Sequence, residues 1–194
     1  MFVPSAFKIY MSDVTRILDN CDLLAGDVVV KIKYLHRDPN IIEIEGILTG
    51  EECDNLMLAA TPRLRTSEVV DHVNGGTQLH RNRTSETAYF AKAENDVLAK
   101  LENRIASITG VPVEMGEPTQ ILHYSTNAEY QPHYDYFPPG DAGSESHMVN
   151  GGQRGATCIT YLNTVSDGGE TECPVLNLKV KPKRGSALFF EYIR

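Results

Sequence analysis

His133 and Asp135 are the residues whose types and spacing in this sequence best suit chemistry on a metal ion. They stand two apart within residues 130–137, which we interpret as a strand, and side chains two apart on a strand point to the same face. One imidazole nitrogen and one carboxylate supply two of the three ligands of a 2-His-1-carboxylate triad, which binds iron(II) and leaves positions open for other ligands. Taken alone the spacing is a weak signal, because such a pair also occurs as an ordinary surface or hydrogen-bonded pair.

Two helices are predicted ahead of this run. Residues 41–48 indicate a strand, and Thr49 with Glu52 then has the pairing of a capping box at the start of a helix. After Asn95, apolar residues recur at helical spacing until Gly110, which favours a second helix that ends there.

From Gln120 onward the pattern changes to short apolar or alternating runs that turn residues separate. The runs are ILHY, YQPHYDYF, ATCITYLN, LNLKVK and SALFFEY. Helices followed by many short strands favour an α+β domain whose β part is a sandwich or barrel. Residues 138–153 are polar and rich in glycine, and we interpret them as a surface loop or a lid beside a site.

Composition limits the classes of function. The chain has 194 residues, 41% of them apolar, which suits a single domain. Asp and Glu number 26 against 18 Lys and Arg, and the formal net charge of -8 would repel phosphate backbones and anionic lipid surfaces. We therefore expect neither nucleic acid nor a membrane as a partner. No apolar run reaches the roughly 20 residues that span a bilayer, and the first residues lack the pattern of a secretion signal, so we expect a cytoplasmic protein.

The four cysteines are Cys21, Cys53, Cys158 and Cys173, and none of them has C-x-x-C spacing. Neither a zinc knuckle nor a redox motif is therefore indicated. We expect reduced thiols, as is usual in the cytoplasm. The sequence does not indicate an oligomeric state.

Six motifs, in order, resemble the prolyl 4-hydroxylase family of 2-oxoglutarate-dependent oxygenases over residues 39–192. They are RTSETAYF (83–90), ILHY (121–124), EYQPHYDYF (129–137), GGQRGATCITYLN (151–163), GGETECP (168–174) and KPKRGSALFF (181–190). The resemblance implies a double-stranded β-helix, or jelly roll, braced by helices. It makes residues 39–194 the oxygenase domain and leaves residues 1–38 as an N-terminal extension of unknown role.

The resemblance also implies roles for single residues. It makes His133 and Asp135 iron ligands and Tyr124 a hydrogen-bond donor to the carboxylate of 2-oxoglutarate. Thr171 matches a hydroxyl neighbour of the same co-substrate. A core position for Tyr124 and a turn position for Thr171 remain alternatives.

For the substrate, the resemblance implies a groove for a peptide. Its residues would be Arg83, Ser85, Glu117, Tyr130 and Arg154. Guanidinium donors and an aromatic ring suit an extended peptide that contains proline. The alternative for both arginines is a surface ion pair with one of the many acidic residues.

The activity that the resemblance implies is hydroxylation of peptidyl proline. Iron(II), 2-oxoglutarate and O2 would be required, succinate and carbon dioxide would be released, and ascorbate is a further candidate cofactor. The partner would be a proline-containing peptide or protein. Two alternatives stay open: an oxygenase that acts on a free amino acid or another side chain, and a non-catalytic jelly-roll module that binds peptides.

The sequence departs from the family pattern after residue 190. The family has a second iron-binding histidine there, followed by a basic residue that anchors the far carboxylate of 2-oxoglutarate, and neither follows the GSALFF strand here. Three explanations remain: the chain omits a stretch, the site is completed by His147 or a water, or the domain is a degenerate relative. We expect the first, because the barrel would otherwise lose a closing strand and expose an edge.

Overall fold

The computed structural model describes residues 1–10, 20–70, 76–138, 148 and 152–192. His147, His72 and most of the loop predicted at 138–153 lie outside the described residues. The described strands are β1 Pro4–Tyr10, β2 Cys21–Ala25, β3 Val28–His36, β4 Ile41–Glu45, β5 Arg65–Thr66, β6 Val69–Val70, β7 Thr77–Gln78, β8 Glu86–Tyr89, β9 Gln120–His123, β10 Arg154–Tyr161, β11 Thr171–Cys173, β12 Leu178–Val180 and β13 Ala187–Glu191. The helices are α1 Gly50–Ala60 and α2 Asp96–Thr109, with 3-10 turns at Thr61–Arg63, Val113–Met115 and Pro174–Leu176.

Nine of the described strands form one antiparallel sheet in the order β2-β3-β4-β13-β10-β1-β9-β8-β5. Two short hairpins, β11 with β12 and β6 with β7, form separate two-stranded sheets. Two helices and this large sheet confirm the α+β prediction.

The position of β1 corrects the domain boundary that was predicted at residue 38. β1 lies in the middle of the sheet, where Pro4 to Tyr10 pair with β10 and Ser5 and Ala6 pair with β9. β2 and β3 extend the same sheet beyond β4. Strands β1, β2 and β3, from the described parts of residues 1–38, thus belong to the domain's sheet. The local sequence could not reveal this for β1, because its partners β9 and β10 come from a distant part of the chain. β1 also pairs with the facing edges of both β9 and β10, so neither edge is left open there.

Both predicted helices are confirmed, together with their ends. The capping box at α1 forms in both directions: Glu52 N donates to Thr49 Oγ1 over 3.2 Å, and Thr49 N donates to Glu52 Oε2 over 2.8 Å. Asn95 caps α2 by accepting from Leu98 N over 2.9 Å. Gly110, with φ of 73°, ends α2 in the left-handed conformation that glycine adopts readily.

The sheet is covered on both faces. The helix-side core contains the apolar face of α2 together with Phe7, Ile9 and Cys158 from the sheet. Lys8 and Thr157 are the chain neighbours of these residues, so they point to the opposite face. On that opposite face a second buried cluster joins the sheet to the β11–β12 hairpin through Ile41, Tyr161, Val180 and Leu188.

All four cysteines have free thiols, and Cys53 and Cys158 are buried. Neither described helix combines the length and the apolar character that crossing a membrane requires.

A buried arginine links the two helices to the β2–β3 turn. Arg104 on α2 is only 1% exposed and donates two hydrogen bonds to Glu52 of α1, each 2.8 Å long. It also donates to both carboxylate oxygens of Asp27, at 2.7 and 2.9 Å, and to the carbonyl of Ile47 at 2.9 Å. Because its donors reach three separate segments, Arg104 fixes the helices against the edge of the sheet.

Arg104→Met would leave the carboxylate of Glu52 without its cation in a buried position. We therefore expect the free energy of unfolding to fall by about 3–5 kcal/mol. Urea denaturation followed by circular dichroism would measure the change. Arg65→Met is the matched control because Arg65 is exposed, and surface substitutions usually change stability by no more than about 0.5 kcal/mol. Equal losses in the two variants would contradict the role of Arg104.

Candidate metal centre

The segment that carries His133 and Asp135 forms no strand and bends at Pro132 and Tyr136, so the prediction of a strand at 130–137 is wrong. Within it, Tyr130 forms an isolated bridge with Arg83. Pro132 has no N–H to donate to a ladder, which is one reason why pairing does not continue. The predicted convergence still occurs, because His133 Nε2 lies 3.6 Å from Asp135 Oδ1.

The histidine is oriented by its own backbone. His133 Nδ1 lies 2.8 Å from the carbonyl oxygen of Gln131, so Nδ1 carries the proton that this hydrogen bond needs. The ring of Tyr130 stacks on the imidazole, with centroids 3.6 Å apart and planes at 18°. In the neutral form of the ring, Nε2 would thus present its lone pair on the side of Asp135, and donation from the other ring nitrogen to a carbonyl is the arrangement that metal-binding histidines show.

The carboxylate of Asp135 is surrounded by donors. Lys8 Nζ lies 2.8 Å from Oδ1, while Thr157 Oγ1 and the Tyr192 hydroxyl donate to Oδ2 over 3.1 and 3.3 Å. The side chain is 15% exposed. Burial would raise the pKa of Asp135, but the charge of Lys8 and the adjacent His133 hold this pKa well below its usual range. Asp135 is thus held as an anion.

Sequence reasoning missed Lys8, Thr157 and Tyr192. Lys8 and Thr157 are paired neighbours on β1 and β10, and Tyr192 follows β13 with its hydroxyl in contact with that of Thr157. All three reach Asp135 from the face of the sheet that lies opposite the helices. One signal was available: a lysine inside the apolar run of residues 4–10 needs a buried anion as a partner.

Two of the predicted substrate-binding residues bind each other. Arg154 donates through Nε and Nη2 to the two carboxylate oxygens of Glu117, over 2.5 and 3.0 Å. Each side chain is only 12% exposed. Arg154 therefore does form an ion pair with an acidic residue, as the alternative predicted, but the pair is mostly buried and does not lie on the surface. Arg154 Nη1 also donates to the carbonyl of Asp135 over 3.0 Å, which fixes the backbone of the candidate ligand.

The other predicted groove residues form a second group beside His133. Arg83 lies over the ring of Tyr130, with 4.9 Å from Cζ to the centroid, and donates to the carbonyl of Glu68 over 2.8 Å. Ser85 is 1% exposed, and its hydroxyl hydrogen-bonds that of Ser67 over 2.8 Å. Ser85 is therefore buried and does not contribute to the accessible surface of this group.

The two residues predicted to bind the co-substrate lie in different surroundings. Burial raises the pKa of Tyr124, while the charge of Arg83 lowers this pKa and that of Asp135 raises it. Thr171 lies on β11, where its hydroxyl accepts from Tyr161 over 2.9 Å. That contact places Thr171 beside the second core cluster.

The donors fit two ligand positions of an iron(II) site. A histidine nitrogen whose tautomer is fixed and a carboxylate oxygen already held against a cation are the donor types that such a site uses. Within the described ranges, no group of three or more His, Cys, Asp or Glu residues is placed to hold a metal ion. His147, the predicted alternative, lies outside those ranges.

Comparisons with known proteins point to one family. Residues 119–194 match the model of the 2OG-Fe(II) oxygenase superfamily. Prolyl 4-hydroxylase 5 of Arabidopsis thaliana is 34% identical over 206 residues, which cover 94% of this chain and 69% of that protein. Probable prolyl 4-hydroxylase 10 of the same plant is 36% identical, covering 82% of this chain and 60% of that protein. The chain thus spans three fifths to two thirds of these relatives' lengths.

A solved structure shows the same fold. The viral collagen prolyl hydroxylase of Paramecium Bursaria Chlorella virus-1, solved as a 2OG complex, has a TM-score of 0.56 and 26% identity. The match covers 78% of this chain and 77% of that one. The jelly-roll fold predicted from the sequence is confirmed by this likeness.

The tautomer of His133 can be checked directly. When the ring is neutral, we expect its proton on Nδ1, because Nδ1 donates to the Gln131 carbonyl. His80 is a matched internal control, since its Nδ1 accepts from Asn82 N over 3.3 Å and its proton should therefore lie on Nε2. Long-range proton–nitrogen correlation spectra of labelled protein distinguish the two forms. A proton on Nε2 of His133 would contradict the proposed orientation.

Proposed function

The chain belongs to the prolyl 4-hydroxylase family of 2-oxoglutarate- and iron(II)-dependent oxygenases, and we propose on this premise that it hydroxylates proline in a peptide or protein. The observation that carries the proposal is the convergence of His133 and Asp135, with 3.6 Å between Nε2 and Oδ1. The names of the relatives and of the structural neighbour support proline as the target.

Iron(II) would be held by His133 Nε2 and Asp135 Oδ1. When bound, iron(II) would let O2 act as the oxidant: 2-oxoglutarate would give two electrons and be converted to succinate and carbon dioxide, which takes one oxygen atom, and the other atom would turn a C–H bond of the substrate into C–OH. Residues of the chain itself orient the proposed ligand Asp135. Thr157 and Tyr192 hold Asp135 Oδ2, so that Oδ1 is the oxygen that faces the histidine. Arg154 fixes the Asp135 backbone.

Aromatic rings beside the metal pair support a proline-containing peptide as substrate. Tyr130 stacks directly on His133. Tyr134 is 73% exposed and its ring lies 5.1 Å from that of Tyr136. Tyrosine rings offer a flat apolar face to a proline ring and a hydroxyl to a peptide carbonyl.

A second candidate function is a non-catalytic module that binds peptides. It is favoured by one observation: the described residues provide two protein ligands, where the family's triad has three. An oxygenase that acts on a free amino acid is a further alternative. Ascorbate as an accessory reductant and a cytoplasmic location both stay predictions.

Titration of the protein with iron(II) and 2-oxoglutarate under anaerobic conditions tests the metal centre. We expect a saturable visible charge-transfer band from the chelated keto acid. The band should vanish in His133→Ala and persist in His80→Ala, where the histidine replaced is exposed and distant in sequence. Absence of the band in well-folded protein would favour the binding module.

Asp135→Ala removes the second proposed ligand, so we expect it to abolish turnover. Replacing residues that merely support a ligand costs up to roughly 100-fold in activity, so loss of the ligand itself should exceed this. The assay is succinate release together with the gain of one oxygen atom by a proline-containing peptide, with free proline tested beside it. Asp22→Ala on the exposed strand β2 is the control. Succinate production retained in Asp135→Ala would contradict the iron assignment.

A further inference from the structure

The ring of Tyr130 is covered by two other side chains. The imidazole of His133 stacks on it with 3.6 Å between centroids, and the guanidinium of Arg83 lies over it with 4.9 Å from Cζ to the centroid. One face of a tyrosine ring has no room for both groups, so they take opposite faces and the three side chains form a stack. Because both faces of Tyr130 are then occupied, the ring of Tyr134, which is 73% exposed, is the better face for a proline.

The guanidinium at the end of this stack is held by hydrogen bonds. Arg83 donates from Nη1 to the carbonyl of Glu68 over 2.8 Å and from Nη2 to the hydroxyl of Thr87 over 3.3 Å. Thr87 is buried on β8, and its hydroxyl lies 2.5 Å from that of Ser67, which is buried too. A planar guanidinium with donors engaged on both sides keeps one orientation. The stack is therefore anchored to the buried part of the sheet.

The backbone on either side of Tyr130 is held by the segment that carries Arg83. Residues 82–84 run antiparallel to residues 129–131, with a bridge at the middle residue of each. Thr84 N donates to the carbonyl of Glu129 over 2.9 Å, and the Thr84 hydroxyl accepts from Glu129 N over 2.9 Å. These bonds form a short ladder.

Gln131 connects this ladder to the histidine. Its N–H donates to the carbonyl of Asn82 over 2.9 Å, and its own carbonyl oxygen lies 2.8 Å from His133 Nδ1. The group that accepts from the imidazole is thus held in place from a different part of the chain. A single hydrogen bond at Nδ1 still leaves the ring able to tilt about that bond.

We propose that Arg83 and Tyr130 are positioning residues for the metal ligand His133. The hydrogen bond at Nδ1 fixes one point of the imidazole, and the stack fixes its plane, so Nε2 keeps its direction towards Asp135. This inference rests on the proposed function, because it takes His133 to be a ligand. It gives the two residues a task that does not require contact with a peptide.

Nuclear magnetic resonance of metal-free protein labelled at histidine tests the positioning without a ligand. In the wild type, the ring current of Tyr130 should shift the His133 ring protons upfield. At the same pH, this shift should shrink in Arg83→Met, because the stack loses its outer member. Arg37→Met is the matched control: it removes a similar stack, in which Arg37 Cζ lies 3.9 Å from the ring centroid of Tyr34 on β3.

Binding calorimetry with Mn(II), which prefers similar ligands to iron(II) and resists oxidation in air, measures the consequence for the metal. Partners that orient a ligating histidine are typically worth at least 10-fold in metal affinity, so Arg83→Met and Tyr130→Leu should each bind Mn(II) about 10-fold more weakly. Tyr130→Phe keeps the aromatic ring and should bind as the wild type does. Arg83→Lys keeps a cation without the planar fork and should show a smaller loss.

The outcomes separate this inference from the function on which it rests. Wild-type protein that binds no Mn(II) overturns the proposed metal centre and the positioning role with it. Normal wild-type binding with unchanged Mn(II) affinity in Arg83→Met and Tyr130→Leu overturns the positioning role alone, because residues that only contact a peptide give that result. An unchanged His133 shift in Arg83→Met, or equal losses in Arg37→Met, overturns it as well.

Discussion

The antiparallel pairing of β1 with β10 is the interaction on which the sheet and the candidate metal centre both depend. The two strands pair continuously from Pro4 with Tyr161 to Ile9 with Ala156, and β1 pairs on its other side with β9. Without β1, the facing edges of β9 and β10 would each carry unpaired backbone groups in the middle of the domain. The same pairing sets Lys8 beside Thr157, on the face where Asp135 lies. Continuity of the sheet and the charge balance of the site therefore come from one segment.

Three ion pairs or clusters hold buried charges in the described part of this domain. A buried ion costs several kcal/mol to desolvate unless geometry and hydrogen bonds compensate, so each pair also constrains the segments that carry it. On the helix side this constraint joins α1, α2 and the β2–β3 turn. On the opposite face it joins β1, β10 and the segment that carries the candidate ligands. The pairs are Arg104 with Glu52 and Asp27, Arg154 with Glu117, and Lys8 with Asp135.

Local signals in the sequence predicted local structure well. The capping box at Thr49, the end of α2 at Gly110 and the convergence of His133 with Asp135 all depend on residues within a few positions of one another. No strand forms at 130–137, yet the two side chains predicted to converge there do so, with His133 Nε2 3.6 Å from Asp135 Oδ1. What could not be predicted depends on long-range partners. Lys8 meets Asp135 from the far end of the chain, and nothing near Lys8 in the sequence reveals which strand β1 will join.

The charges around Asp135 explain why two ligands suit this site better together than apart. Asp135 and Glu117 carry two negative charges there, and Lys8 and Arg154 carry two positive ones, so the described cluster is balanced. Iron(II) alone would add two positive charges to a space that is mostly closed to solvent, and 2-oxoglutarate alone would add two negative ones. Either addition leaves uncompensated charge at low effective dielectric, whereas both together restore the balance. In the described structure Lys8 supplies the positive charge that balances Asp135, with Nζ 2.8 Å from Oδ1.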